Sequence, residues 1–161
     1  MAAIALYRAA GMEVVHEVHV LRLSRAQLEQ FAGPRSARFA VLPVAPADDA
    51  ALEAQYDLGA GQLAQLRARR PHARMWRLAD GGDTLGLARY WHEYAPDCGV
   101  VFPFRAAGAD AAAHLLSGAL GGLTLAAEIE LPVVDAPVAA ALVAAGARRH
   151  EHMLEMGGPL G

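Results

Sequence analysis

The chain carries one helix–glycine–strand element twice, and this duplication constrains the fold more than any other feature. In the first copy, the Ala-rich stretch 3–11 ends in glycine and runs into the apolar stretch 14–21. In the second copy, the stretch 138–146 ends in glycine and runs into 149–156. Each copy predicts a short helix that glycine terminates and a strand follows. The sequence between the copies is long enough for one small domain only.

The duplication predicts how the chain is divided. We interpret residues 1–23 as the tail of a preceding domain, residues 24–36 as a linker and residues 37–161 as one complete domain. The predicted strand in the tail is apolar, and a strand of this kind promotes aggregation unless it pairs. We therefore expect it to extend the sheet of the complete domain or that of a neighbouring copy, which would give a homodimer.

Composition narrows the class of protein. A length of 161 residues with 55% apolar residues is enough for one core. The net charge of −3 gives no general attraction to nucleic acid or anionic membranes. Cys98 is the single cysteine, so no internal disulfide is possible and a reducing compartment is favoured. We expect a cytoplasmic protein that has neither nucleic acid nor membrane as a partner.

Hydrophobic periodicity and turn residues predict the order β-α-α-β-β-β-α-β-α-β for the complete domain. Strands are predicted at 38–44, 74–79, 84–94, 100–104, 123–131 and 149–156, and helices at 46–58, 62–69, 110–120 and from about 137. In the stretch 123–131 apolar residues alternate, which places Glu128 and Glu130 on the face opposite the apolar one. The order indicates an α/β fold, a mixed central sheet with helices on both faces.

This order, ending in strand, helix, glycine and strand, resembles that of the GCN5-related N-acetyltransferase (GNAT) family. The family's last helix typically reads Asn-x-x-Ala-x-x-Leu-Tyr-x-x-x-Gly-Phe. In register with it are Ala3, Leu6, Tyr7, Gly11 and Met12. The resemblance implies a GNAT-like fold, and it would make this chain the C-terminal part of a tandem GNAT protein. It also implies that Tyr7 matches the tyrosine that commonly protonates the departing CoA thiolate, whereas the second copy has Leu142 there.

The resemblance implies a site for acetyl-CoA as well. The family places Arg/Gln-x-x-Gly-x-Gly/Ala between its fourth strand and the next helix, where backbone N–H groups and the helix dipole hold the pyrophosphate. The candidates here are Arg105, Ala106, Ala107, Gly108 and Ala109. Asp110 departs from the pattern; we expect it to cap the helix and to oppose the pyrophosphate, so the loop would be degenerate. Backbone N–H groups of Val101 and Phe102 are implied to polarise the thioester carbonyl.

Two functions follow from the resemblance. The first is acetyl transfer from acetyl-CoA to a primary amine of a small molecule or peptide, by direct attack of the amine on the thioester. Glu130, with Glu128 beside it, is the candidate to accept the amine proton through water, because the fifth strand borders the family's substrate cleft. A solvated face, or pairing with an arginine, is the alternative for these glutamates. The second function is a non-catalytic GNAT-like domain that assembles with or supports an active partner domain, which Leu142 and Asp110 favour.

The histidines give a weaker pattern. His150 and His152 lie two residues apart in the last predicted strand, and His16 and His19 lie in the related early strand. Two imidazoles can share a metal ion, but the sequence identifies no third or fourth ligand. We therefore predict no metal site and interpret these residues as ordinary strand histidines.

A basic stretch and the single cysteine are two further features of the sequence. The basic stretch 67–77 contains Trp76 and would suit phosphate of CoA or RNA, or would form a solvated corner with Trp76 in the core. Cys98 has only His92 as a nearby base in sequence, so we do not expect it to act as a nucleophile.

Overall fold

The computed structural model describes residues 2–32, 38–95 and 98–158. Its helices are α1 (Ala2–Ala9), α2 (Arg25–Ala32), α3 (Asp49–Gln55), α4 (Gln62–Arg69), α5 (Ala109–Leu120) and α6 (Ala136–Ala144), with a 3-10 turn at Pro46–Asp48. Its strands are β1 (Glu13–Ser24), β2 (Ala40–Pro43), β3 (Arg74–Asp80), β4 (Asp83–Ala95), β5 (Cys98–Ala106), β6 (Glu128–Val133) and β7 (Arg148–Gly157). None of the described helices has the length and apolar content needed to cross a bilayer.

The strands form one mixed sheet in the order β2-β3-β4-β5-β6-β1-β7. Neighbours are antiparallel except β5 and β6, which are parallel. On β4, Leu87 packs with α3 and α4, whereas the next residue, Ala88, packs into the main core with α2, α5 and α6. Successive side chains of a strand point to opposite faces. Helices therefore cover both faces, and the predicted α/β fold is confirmed.

Strand β1, from the predicted tail, lies inside this sheet. It pairs with β6 over residues 19–24 and with β7 over residues 13–22. Its residues Leu21 and Leu23 are buried in the main core. Of the two expected arrangements, extension of the sheet of the same chain is the one observed. The division into tail, linker and complete domain stays a prediction, as does the homodimer.

The duplicated element is visible in three dimensions. Gly11 follows α1 with φ of +80°, and Gly146 follows α6 with φ of +99°. These are left-handed conformations that glycine adopts without a steric penalty, and they turn each helix into the strand after it. The two strands reached in this way, β1 and β7, then pair with each other antiparallel.

Helix α1 differs from α6 in its burial. Leu6 is 69% exposed and Tyr7 is 46% exposed. Leu142 of α6, by contrast, is fully buried in the main core. Sheet formation therefore depends on the strand of the N-terminal element and little on its helix.

The strand predicted at 123–131 is shorter in the structure, because β6 begins at Glu128. Leu123 and Leu125 pack against the main core from an irregular segment. The apolar alternation there reflects burial without strand pairing. Within β6 the predicted faces are correct, since Ile129 is buried and Glu130 lies on the opposite face.

Candidate functional site

The parallel strands β5 and β6 separate along their length. Their ladder joins residues 98–100 to residues 128–130. Beyond this ladder β5 continues to Ala106 and β6 to Val133. Backbone groups need hydrogen-bond partners, so a gap beside a strand is a place where a ligand carrying amides can bind as an added strand.

A β-bulge lies at the point of separation. Val101 and Phe104 of β5 are three steps apart, and the residues opposite them on β4 are two steps apart. One extra residue bends β5 locally, an arrangement frequent beside active sites. Val101 and Phe102, the predicted donors to a thioester carbonyl, begin this bulge. Pro103 follows them and has no N–H to offer.

The gap opens into a first cavity of about 210 Å³. It is lined by Tyr56, Phe104, Arg105, Ala106, Val133, Val134, Asp135 and Val138. The walls come from both separated strands, from the start of α6 and from the end of α3. The cavity is apolar for most of its lining, with Arg105 as its cation.

Two side chains of the first cavity have shifted pKa values. Burial lowers the pKa of Arg105, whose guanidinium donates to the Phe104 carbonyl at 3.0 Å. The charges of Glu155 and Asp57 act in the opposite direction, so two carboxylates already lie within electrostatic range of this cation. Burial raises the pKa of Tyr56 to about 12, so its phenol stays protonated at neutral pH. The phenol is 3.3 Å from the Thr84 carbonyl oxygen, to which it donates.

The predicted cofactor loop, residues 105–109, connects β5 to α5. The Ala107 N–H donates to the Leu85 carbonyl at 2.8 Å and is already used. Gly108 is the N-cap of α5 with φ of +109°, and a Cβ added there would meet no atom within 4 Å. Open space therefore lies in front of the positive end of a helix that carries no capping side chain at its N-cap.

The expectation that Asp110 caps α5 is wrong. Gly108 adopts a positive φ that lets the helix begin at Ala109, so Asp110 is its second residue. The Asp110 carboxylate lies 3.3 Å from Nδ1 of His114, one turn further along. It does not take the cap position that a phosphate would need.

A second cavity, of about 720 Å³, lies against the narrow end of the same separation. It is lined by Arg22, Leu66, Arg69, Arg70, Trp91, Cys98, Val100, Phe102, Glu130, Pro132, His150 and Glu151. Phe102 and Glu130 are the predicted site residues among them. The lining combines apolar side chains with charges of both signs.

Glu130 pairs with an arginine from β1. Arg22 stands directly opposite Glu130 in the β1–β6 ladder. Its Nη2 and Nε donate to Oε2 of Glu130 at 3.0 and 3.3 Å. Both bonds use one carboxylate oxygen, and neither engages Oε1. Glu128 pairs instead with Arg148, and neither of these two residues lines either cavity.

Some of the remaining predicted residues line a cavity and others do not. Tyr7 lies on exposed α1 and lines neither cavity. From the basic stretch, Arg69 and Arg70 line the second cavity, and the Arg70 guanidinium lies 4.7 Å from the Trp91 ring centre. Trp76 packs against the main core, as the solvated-corner alternative expects.

Arg22 and Tyr56 are site residues that sequence reasoning missed. Arg22 belongs to the stretch interpreted as a tail, and it meets Glu130 across 108 residues of chain. Tyr56 follows the last residue of α3 in a turn. Nothing in the local pattern of either residue signals a site, because only the sheet order and the path after α3 bring them to the cavities.

Cys98 gives a testable consequence of this geometry. Burial raises the pKa of its thiol above the ordinary 9.0, and the charge of Glu130 raises it further. Because the thiolate is the reactive form, we expect slow alkylation by iodoacetamide at pH 7.5 and an inflection of the rate above pH 9. Mass spectrometry of the intact chain measures the rate. Glu130→Gln should move the inflection downward, and a wild-type inflection at pH 8 or below would contradict the burial.

Known proteins match this chain in structure and not in sequence. No protein-family model matches the chain, and no curated protein matches it in sequence. Solved structures do match. A GCN5-related N-acetyltransferase from Kribbella flavida has a TM-score of 0.57 at 15% identity, covering 100% of this chain and 64% of that one. One from Anabaena variabilis has a TM-score of 0.63 at 13% identity, covering 97% and 43%.

A tandem GNAT protein from the clavulanic acid biosynthesis pathway, without acetyl-CoA, matches with a TM-score of 0.56 at 13% identity, covering 99% of this chain and 59% of that one. The chain thus spans less than two thirds of each of these three structures. Identities this low establish the fold alone. The chain has the GNAT fold, as the sequence resemblance implies, while placement at the C-terminal end of a tandem protein stays a prediction.

Proposed function

We propose that this GNAT-fold chain transfers an acetyl group from acetyl-CoA to a primary amine of a small molecule or peptide. The observation that carries the proposal is the separation of β5 and β6, with one cavity at its wide end and another at its narrow end. An acyl transfer between two substrates needs two binding compartments, and we assign the two cavities along this separation to them. One must hold the activated acyl group, and the other must hold the amine with a base beside it.

The residues of the first cavity and its loop fit acetyl-CoA. Its pyrophosphate needs a cation and unsatisfied N–H donors, which Arg105 and the N-terminus of α5 would supply. The open space at Gly108 leaves room for a phosphate close to the backbone. Acetyl-CoA supplies the activated thioester, and backbone donors at Val101 and Phe102 would hold its carbonyl.

The residues of the second cavity fit the amine. In the proposed reaction the amine nitrogen attacks the thioester carbonyl carbon, the carbon–sulfur bond breaks, and CoA leaves as its thiolate, which takes a proton from water. Glu130 accepts the amine proton through water. Arg22 holds the Glu130 carboxylate in place through Oε2. Trp91 and Phe102 give this cavity apolar walls beside Glu130.

Leu142 supports a second candidate, a non-catalytic GNAT-like domain. It is fully buried where the family resemblance implies a tyrosine that protonates the thiolate. Tyr56 has a phenol at the first cavity, but a hydrogen bond to Thr84 already engages it. If water cannot replace the missing acid, the domain keeps acetyl-CoA without turnover and supports an active partner.

Glu130→Gln tests the proposed base. Removing one general base costs roughly 10²- to 10⁴-fold in rate, and we expect kcat for amine-dependent thiol release to fall by that factor. The assay follows free CoA thiol across a panel of small amines and short peptides. Glu128→Gln is the matched control, on the same strand but paired with Arg148, and we expect its rate within about twofold of wild type.

Two results of this assay argue against the proposal. Undiminished turnover in Glu130→Gln would remove Glu130 from the reaction. Acetyl-CoA binding without thiol release for any amine in the panel would favour the non-catalytic candidate.

A further inference from the structure

Three metal-ligating side chains meet on the β1–β7 pair, outside both cavities. They are Glu17, His19 and His152, and their candidate ligand atoms all lie within 4.8 Å of one another. His19 and His152 stand directly opposite each other in the antiparallel ladder. Glu17 is two residues before His19 and therefore on the same face of the sheet. The third ligand that the sequence could not identify is thus supplied by strand pairing.

One ligand pair already has the spacing of a zinc site. With Zn–N and Zn–O bonds of about 2.0–2.2 Å, ligand atoms of a tetrahedral ion lie roughly 3.3–3.5 Å apart. Nε2 of His152 is already 3.5 Å from Oε2 of Glu17. A set of two imidazoles and one carboxylate is a known zinc ligand set, with water in the fourth position.

The two imidazole rings need a small adjustment. They are stacked with centres 5.2 Å apart and planes 15° from parallel. Two parallel rings cannot both direct a nitrogen lone pair at one ion, so at least one ring must turn about χ2. This torsion is broad for histidine, and the His152 side chain is about half exposed, so the turn meets little resistance.

We propose that Glu17, His19 and His152 bind one Zn²⁺ ion, and that this ion ties β1 to β7. The two strands come from opposite ends of the chain, and β1 must be held in the sheet for the core to close. A ligand that binds only the folded arrangement stabilises it by an amount that grows with the logarithm of its free concentration relative to Kd. The site is independent of the proposed acetyl transfer.

Other histidines on the same strands provide internal controls. His16 lies on β1, with its Nε2 3.9 Å from Asp57, outside the three-residue group. His150 lies on β7 and lines the second cavity. A site formed by the three proposed ligands should not respond to either residue.

The test is calorimetric titration of the EDTA-treated, dialysed full chain with ZnCl₂ at pH 7.5. We expect one ion per chain, and a rise in Tm of roughly 5–10 °C at a free zinc concentration of about one hundred times Kd. His19→Ala and His152→Ala should each weaken binding about tenfold or more, and Glu17→Gln should weaken it as well. His16→Ala is the matched control and should bind as wild type does.

Several results would overturn the site. The first is no binding up to about 100 µM Zn²⁺, and the second is binding that survives His152→Ala. The third is a titration endpoint of one ion per two chains together with a zinc-dependent dimer in sedimentation, which would indicate a bridge between copies. Unfolding in EDTA shows whether each variant retains its fold. If the histidine variants do not fold, Glu17→Gln decides, since it changes one exposed carboxylate to an amide of the same shape, and unchanged zinc affinity in it would contradict the proposal.

Discussion

A chain that lacks residues 1–24 is expected not to fold, whereas a chain that lacks only residues 1–11 is expected to fold normally. The longer deletion removes β1, which pairs with β6 on one side and β7 on the other. It also removes the buried side chains of Val20, Leu21 and Leu23. Truncating one buried Leu to Ala costs about 2–5 kcal/mol, and a whole domain is stable by only about 5–15 kcal/mol.

The shorter deletion is the control, because it removes α1 and leaves β1 intact. Leu6 and Tyr7 on α1 are exposed, so little buried area is lost. Circular dichroism and thermal unfolding of the two truncated chains measure the difference. A 13–24 peptide added to the longer deletion should restore part of the cooperative transition, since strand addition can occur between separate chains. Cooperative unfolding of the longer deletion at the wild-type Tm would show that β1 is dispensable.

Glu53→Ala is expected to lower the free energy of unfolding by about 3–5 kcal/mol, a fall in Tm of roughly 10 °C. Glu53 on α3 is only 6% exposed. Its Oε2 accepts the Gly61 N–H at 2.8 Å, and its Oε1 accepts the Leu63 N–H at 2.7 Å. Gly61 is the N-cap of α4 and has no side chain, so Glu53 provides the cap from another helix. The variant leaves two N–H groups without their charged acceptor.

Glu29→Ala is the matched control, because Glu29 is an exposed glutamate on α2, paired with Arg25. Its loss should change stability by less than about 1 kcal/mol. Urea titration of both variants gives the two free energies. A loss below about 1 kcal/mol in Glu53→Ala would mean that water replaces the cap. Because α4 carries Leu66 and Arg69 and is followed directly by Arg70, the cap also holds one wall of the second cavity.

The fold class could be predicted because its signals are local. Apolar alternation, helix termination at glycine and each copy of the helix–glycine–strand element can be recognised within a short stretch of sequence. The position of β1 could not be predicted in this way. Its apolar residues predict a strand, but the choice between an edge, an internal position and a second chain depends on which backbone groups elsewhere lack partners. In the structure β1 lies between β6 and β7 and pairs with both strands.

The candidate site was predictable in part for the same reason. Arg105 and Gly108 follow a short motif, and the structure places them together at one loop. Strand alternation gives the face on which Glu130 lies, the family resemblance implies its role, and the residue lines the second cavity. Arg22, its partner, comes from the other end of the chain, and no local pattern connects the two. The expected cap at Asp110 was wrong. Aspartate is generally preferred at N-cap positions, but Gly108 can adopt a positive φ, and the helix therefore begins two residues earlier than expected for a cap at Asp110.

Calorimetric titration of the full chain with acetyl-CoA, in the wild type, Gly108→Ala and Gly108→Glu, tests directly whether the chain binds this cofactor. Both variants carry the backbone strain of a side chain at positive φ, and only the second adds a negative charge at the pyrophosphate position. We expect saturable binding in the wild type and Gly108→Ala, and at least a tenfold loss of affinity in Gly108→Glu. No heat and no change in Tm at millimolar acetyl-CoA, or equal affinity in all three chains, would contradict a cofactor site between β5 and β6.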